Sequence, residues 1–307
     1  MVSAPTSSDG DGSDGGSDEA LRLIRDAEVY FGFGFSPDLL CAAERLRWVH
    51  SAAAGVGSVL NTGIERTDIL ITNSAGIHGP PIAEFVVAGI LHFLRGLDVA
   101  IAQQRRREWS KAFFVAEDTP LREISECRVL IVGTGGLGGE SAKRLTCLGA
   151  TCVGVRRRPQ LGAPEGFSAV VGQDGLDAEL SNADVLVLAA PFTADTSEMM
   201  TRERLMRLPK GAIVVNVARG ALLDEEATAD LLEGGRLRGA VLDVFREEPL
   251  PATSRLWSLP NALIMPHTSP VSPRRFWPRQ LDLFLANWHR YDRGEPLLNL
   301  VDKHAGY

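Results

Sequence analysis

The sequence predicts an α/β fold: a doubly wound parallel sheet with a second, smaller α/β unit beside it. Three observations predict it. Between residues 127 and 265, short continuous apolar runs alternate with helical patterns, as parallel strands covered on both faces do. The first of those runs ends in a glycine-rich loop at residues 133–138. Further short apolar runs precede residue 78, and a chain of 307 residues exceeds one small core and fits roughly two domains.

Residues 1–19 are Ser, Asp and Gly with almost nothing to bury, and read as a disordered acidic tail. Residues 26–35, 46–53 and 68–73 are short buried strands. Pro81 is pre-set for a first helical turn, and apolar residues then recur at helical spacing to about residue 97. Residues 127–132 form the strand that feeds the glycine loop. A helix over 140–148 follows, stopped by Gly149. Strands are expected at 151–155, 184–189, 212–217, 240–244 and 262–265, with a helix at 225–233 and a last helix at about 273–293.

Composition narrows the function classes. At 45% hydrophobic and 23% charged, the chain reads as an ordinary soluble globular protein. A net charge of −7 argues against nucleic acid as the partner, because phosphate binding needs a basic surface. Cys41, Cys127, Cys147 and Cys152 show no CxxC pair and no zinc-like spacing to His, which suits a reducing compartment and no metal. No signal peptide or membrane span is legible, so a cytoplasmic location is expected. The run Arg105–Arg107 reads as a solvated face.

Gly133-Thr134-Gly135-Gly136-Leu137-Gly138 has G-x-G-x-x-G spacing, between a predicted strand and a predicted helix. Gly133 permits the tight turn, Gly135 lets a pyrophosphate approach the backbone, and Gly138 lets helix pack on strand. Gly136 and Leu137 complete the loop, and the N-terminus of the helix after it offers N–H groups and a positive dipole end to the phosphates. An acidic residue at the end of the next strand would favour NAD. Arg156, Arg157 and Arg158 stand there instead, and guanidinium groups match a phosphate, so NADP is preferred with NAD possible.

Downstream, Arg219 follows the apolar strand 212–217, at the carboxyl end where ligands of open α/β sheets bind. Arginine pairs bidentately with a carboxylate. His267 follows Pro266 at the end of another strand, and histidine is the usual acid–base group near neutral pH. Glu248 is placed to orient the imidazole and favour its protonated form.

These residues, with Pro191-Phe192-Thr193-Ala194-Asp195-Thr196, the run 216–224, the run 242–249 and Gly79-Pro80-Pro81-Ile82-Ala83-Glu84, resemble the D-isomer-specific 2-hydroxyacid dehydrogenase family, and within it glyoxylate/hydroxypyruvate reductases. The resemblance runs from about residue 22 to the end. It implies a Rossmann-type cofactor domain over residues 79–270, and a smaller flavodoxin-like substrate domain from 20–78 plus 271–307. It implies reduction of a small 2-keto acid, with His267 as proton donor, Glu248 as its partner and Arg219 on the substrate. Ala54 and Gly55 would present N–H groups to the substrate carboxylate. Pro191, Thr196, Val217, Ala218 and Asp243 would meet the cofactor, Asp243 at the nicotinamide carboxamide. Family members are commonly dimers. The family opens with a strand and helix where this chain has its Ser/Asp/Gly tract, so the smaller sheet is expected to lack a strand. A dinucleotide-sensing binding protein, a pseudoenzyme of the same fold, and a dehydrogenase for a larger 2-keto acid stay open as alternatives.

Overall fold

The computed structural model describes residues 17–304 and 306. The chain divides into two compact units, Met1–Ile77 with Ser272–Tyr307, and His78–Val271.

The smaller unit holds a three-stranded parallel sheet in the order β1-β2-β3, from β1 (Val29–Gly32), β2 (Trp48–Ser51) and β3 (Leu70–Asn73). All three strands are shorter than their apolar runs suggest. Helices α1 (Asp18–Ile24), α2 (Pro37–Ala42) and α3 (Gly57–Leu60) connect to it. Helix α1 corrects the reading of residues 18 and 19 as tail: the Ser17 side chain accepts from the Ala20 N–H, Asp18 and Glu19 favour the positive end of the helix, and Ile24 is buried. Residues 1–16 of that expected tail lie outside the described residues. The long C-terminal helix, Phe276–Asp292, seats on this sheet through Phe284, which stacks on Trp48 at 5.3 Å and on Phe31 at 4.8 Å.

The larger unit begins with α4 (Gly79–Leu94), α5 (Leu97–Arg106) and the short α6 (Ala112–Val115). The sequence pattern ends the first helix at about residue 97 and reads the stretch up to Arg105–Arg107 as polar; the structure instead adds α5, bent by 66° from α4 at a break where Gly96 takes a φ of +67°. Seven parallel strands follow in the order β10-β9-β8-β7-β4-β5-β6. They are β4 (Arg128–Val132), β5 (Thr151–Val155), β6 (Ala169–Val171), β7 (Val185–Leu188), β8 (Ala212–Asn216), β9 (Leu237–Leu242) and β10 (Ala262–Ile264). Helices α7 (Gly136–Cys147), α8 (Leu176–Leu180), α9 (Arg202–Arg207) and α10 (Glu225–Glu233) intervene, and α11 (Phe276–Asp292) belongs to the smaller unit.

The strands are apolar throughout because both faces are covered. Leu130, Leu186 and Val214 point into one core layer, shared with Leu180 of α8, Leu205 of α9 and Leu231 of α10. Their chain neighbours Val129, Ile131, Val187 and Val215 point into the other, shared with Val86 and Ile90 of α4 and Leu145 of α7. Strand order reverses between β4 and β7, which makes the carboxyl ends of those strands the topological switch point. Among the described residues, no single helix is long and apolar enough to cross a membrane.

Candidate functional site

The glycine loop leaves β4 at that switch point. Gly133 has a φ of +99°, and a Cβ there would sit 2.7 Å from the Ala189 carbonyl. A Cβ on Gly138 would overlap the Gly133 carbonyl oxygen, so helix α7 packs this closely only with glycine. Gly135 differs: nothing lies within 4 Å of where its Cβ would be. It is the N-cap of α7, and no side chain caps the helix, which begins at Gly136 and continues through the half-buried Leu137. The first N–H groups of a twelve-residue helix therefore lie beside open space. That is the cradle a dinucleotide pyrophosphate fits.

Around it, Thr196 folds the loop after β7 onto itself. Its hydroxyl donates to Pro191 O at 2.7 Å and accepts from Thr193 N–H at 2.8 Å, leaving Pro191 exposed. Arg156, Arg157 and Arg158 follow β5, and Arg156 donates to Gly162 O at 3.1 Å across the turn that closes the loop.

Arg219 and His267 stand at the ends of β8 and β10. Two buried polar side chains form the loops that carry them. Asn216, 1% exposed, accepts from Ala218 N–H at 3.1 Å and donates to Arg219 O at 3.0 Å. Val217 donates its N–H to Leu188 O, so Val217 and Ala218 are both buried against the strand ends. Asp243, also 1% exposed, accepts from Thr268 N–H at 2.9 Å, from Ser269 N–H at 3.0 Å and from the Ser269 hydroxyl. Its carbonyl oxygen accepts from His267 N–H at 2.9 Å. Three of roughly four acceptor positions on the Asp243 carboxylate are thus committed to the His267 loop. Asn216 and Ser269 are the residues that sequence reasoning passed over in this role. The signal was there in Asn216, an amide that closes a strand otherwise buried and apolar.

His267 itself has a φ of +54°, the left-handed region, which histidine tolerates better than most residues and which side chains adopt mainly where surrounding structure holds them. Its Nδ1 lies 2.8 Å from Glu248 Oε2, while Glu248 Oε1 accepts from Phe245 N–H at 2.9 Å. Both side chains are open to solvent, at 42% and 36%. Partial burial pushes the Glu248 carboxyl up, but the hydrogen bonds from His267 and Phe245 and the nearby His267 and Arg219 charges outweigh it and hold the group below its ordinary value. Glu248 is therefore an ionised acceptor for Nδ1–H, which leaves Nε2 as the outward nitrogen. Arg219 is exposed, with extended backbone, and donates to Ala218 O at 2.6 Å.

Ala54 and Gly55 belong to the smaller unit, in the loop after β2. Ala54 O accepts from the Asn73 side chain at 2.8 Å. No hydrogen bond to the protein from either N–H is found among the described residues. No cluster of three metal-ligating side chains is found among those residues either, and all four cysteines are free.

The arrangement has known counterparts. Residues 87–269 match the NAD binding domain of D-isomer specific 2-hydroxyacid dehydrogenases. Glyoxylate/hydroxypyruvate reductase A from Salmonella newport (strain SL254) is 32% identical over 282 residues, 88% of this chain and 85% of that protein. A D-isomer specific 2-hydroxyacid dehydrogenase from Xanthobacter autotrophicus Py2, solved in complex with NADPH and MES, superposes with a TM-score of 0.79 at 30% identity, covering 97% of this chain and 89% of that one. An NADPH-dependent glyoxylate/hydroxypyruvate reductase from Sinorhizobium meliloti, in complex with NADP and sulfate, gives 0.78 at 29% identity over 92% and 87%. The chain belongs to the D-isomer specific 2-hydroxyacid dehydrogenase family of NAD(P)-dependent oxidoreductases.

Proposed function

We propose that this protein reduces a small 2-keto acid of the glyoxylate/hydroxypyruvate class to the D-2-hydroxy acid, with NADPH preferred over NADH. The observation that carries the reading is the His267–Glu248 pair at 2.8 Å, within reach of the Arg219 charge and in the same unit as the glycine loop. The dinucleotide, when bound, supplies hydride to the keto carbon. The protein's own groups do the rest. His267 holds a proton on Nε2 and gives it to the carbonyl oxygen, while Glu248 steadies the imidazolium through Nδ1. Arg219 binds the keto acid and offsets charge as it grows on that oxygen. The N–H groups of Ala54 and Gly55 take the substrate carboxylate.

The open Cβ side of Gly135 and the uncapped start of α7 at Gly136 and Leu137 support pyrophosphate binding. The remaining acceptor position of Asp243 is assigned the nicotinamide carboxamide, and the loops at Pro191–Thr196 and Val217–Ala218 are assigned the rest of the cofactor. Arg156 and Arg157 support the NADPH preference, as do the NADPH and NADP complexes of the two solved relatives. A cytoplasmic homodimer is part of the proposal: four unpaired cysteines suit a reducing compartment, and Leu97, Ile101, Trp109 and Val115 expose apolar surface on one unit.

A panel of 2-keto acids assayed with NADPH and NADH in parallel tests the reading, with light scattering on the same preparation for the dimer. Hydroxypyruvate and glyoxylate are expected to turn over fastest, with NADPH. His267→Asn, which suits the left-handed backbone, is expected to lower turnover by about 100-fold or more while NADPH still binds. Wild-type rates in that variant would remove His267 from the mechanism.

A further inference from the structure

The smaller unit buries a chain of polar side chains that the proposed chemistry does not use. Trp48, His50, Thr72, Ser74 and Gln280 are all fully buried. Trp48 Nε1–H donates to Thr72 Oγ1 at 2.8 Å; an indole N–H has no other role. Thr72 Oγ1 also lies 2.7 Å from His50 Nδ1, and directing the threonine hydrogen there satisfies both groups. His50 then carries its proton on Nε2, which faces Ser74 Oγ at 3.4 Å. The Ser74 hydroxyl lies 2.7 Å from Gln280 Oε1 and 2.8 Å from Ser51 O. Finally Gln280 Nε2 donates to Ala52 O.

The far end fixes the amide. Ala52 O only accepts, so a flipped Gln280 would set two carbonyl oxygens face to face. Gln280 then presents Oε1 to Ser74, whose one hydroxyl hydrogen it shares with Ser51 O, and Nε2 to Ala52. Ala52 is two residues before Ala54, and Asn73 holds the Ala54 carbonyl from the other side. The loop that carries the Ala54 and Gly55 N–H groups, for which no protein acceptor is found among the described residues, is thus pinned through the carbonyls of Ala52 and Ala54.

We infer that Gln280 is a positioning residue for substrate binding: from helix α11 it clamps the Ala52 carbonyl and so aims the Ala54 and Gly55 N–H groups at the carboxylate of the keto acid. The inference rests on the functional reading above. It assigns specificity to a helix that reaches this loop through a hydrogen bond from the Gln280 side chain to the Ala52 backbone.

The test separates the two claims. Wild-type protein is first assayed with hydroxypyruvate and NADPH; absence of turnover with every keto acid overturns the functional reading itself. With turnover present, Gln280→Met keeps the side-chain volume and loses both hydrogen bonds. It is expected to raise KM for hydroxypyruvate about tenfold, with kcat and the KM for NADPH within about twofold, the pattern of lost ground-state binding. Gln280→Glu keeps an acceptor for Ser74 but loses the donor to Ala52, and is expected to match it. An unchanged KM for the keto acid overturns the positioning role. So does a loss of kcat and of NADPH affinity in the same proportion, the mark of a merely structural residue. If neither variant folds, Ser74→Ala, which removes the hydroxyl that orients the amide, is read by the same criteria.

Discussion

His50 makes the stability of this protein depend on pH in a way that can be worked out in advance. Its imidazole is fully buried between Phe31, Phe284, Thr72 and Ser74, none of which ionises in the relevant range. Burial alone lowers its pKa from 6.5 to about 4. Above pH 6.5 the ring is neutral in both folded and unfolded chains, and its contribution to stability is fully present. As pH falls below 6.5, the unfolded chain takes up a proton that the folded chain refuses, so stability drops, until the folded ring also protonates near pH 4. The full drop is worth about 3 kcal/mol, of which about 2 kcal/mol is gone by pH 5. Other groups titrate across this range, so the measurement is a difference: urea unfolding of the wild type and of His50→Gln at pH 7.5 and pH 5. The stability advantage of the wild type over the variant is expected to shrink by about 2 kcal/mol between the two conditions. An advantage constant to within about 0.5 kcal/mol would show that the buried ring is not the proton-linked group, and the argument from burial would fall.

Two further outcomes concern the larger unit. Glu248→Gln replaces an ionised acceptor of His267 Nδ1 with a neutral amide, and is expected to lower kcat by about 100-fold with NADPH affinity intact, as read by fluorescence titration; a kcat within about twofold of wild type would leave the pair without a catalytic use. Gly135→Val places its side chain in the open space above α7, so the melting temperature without cofactor is expected to stay within about 2 °C of wild type while dinucleotide affinity falls about tenfold or more. Equal loss of both would make Gly135 a folding residue rather than a place for phosphate.

The larger sheet was legible because its strands are covered on both faces. Val185–Leu188 and Ala212–Asn216 show as unbroken apolar runs for that reason alone. Strand β6 was not legible: it is a three-residue edge strand with no fully buried side chain. Helix α7 was read too late because its first turn is glycine, chosen for backbone approach and silent in hydrophobic periodicity. In the site, Arg219 and His267 could be read from their positions after strands. Asp243 could not be read as a clamp, because its partners Thr268 and Ser269 become neighbours only through the pairing of β9 with β10. The same holds for Gln280, whose partners Ser74 and Ala52 lie in the first quarter of the chain.

Asp243 donates its own N–H to Asn216 O, which joins the Arg219 loop to the His267 loop through main chain. From Arg219 O to the Asn216 side chain, from Asn216 O to Asp243 N, and from Asp243 O to His267 N, every link involves backbone on at least one side. The spacing of arginine and imidazole is therefore inherited from the spacing of neighbouring strands, about 4.8 Å per step. Beyond the Asn216 amide, no side chain enters these links. Substitutions around such a frame are expected to leave the two groups in place as long as the strands pair and Asn216 is kept.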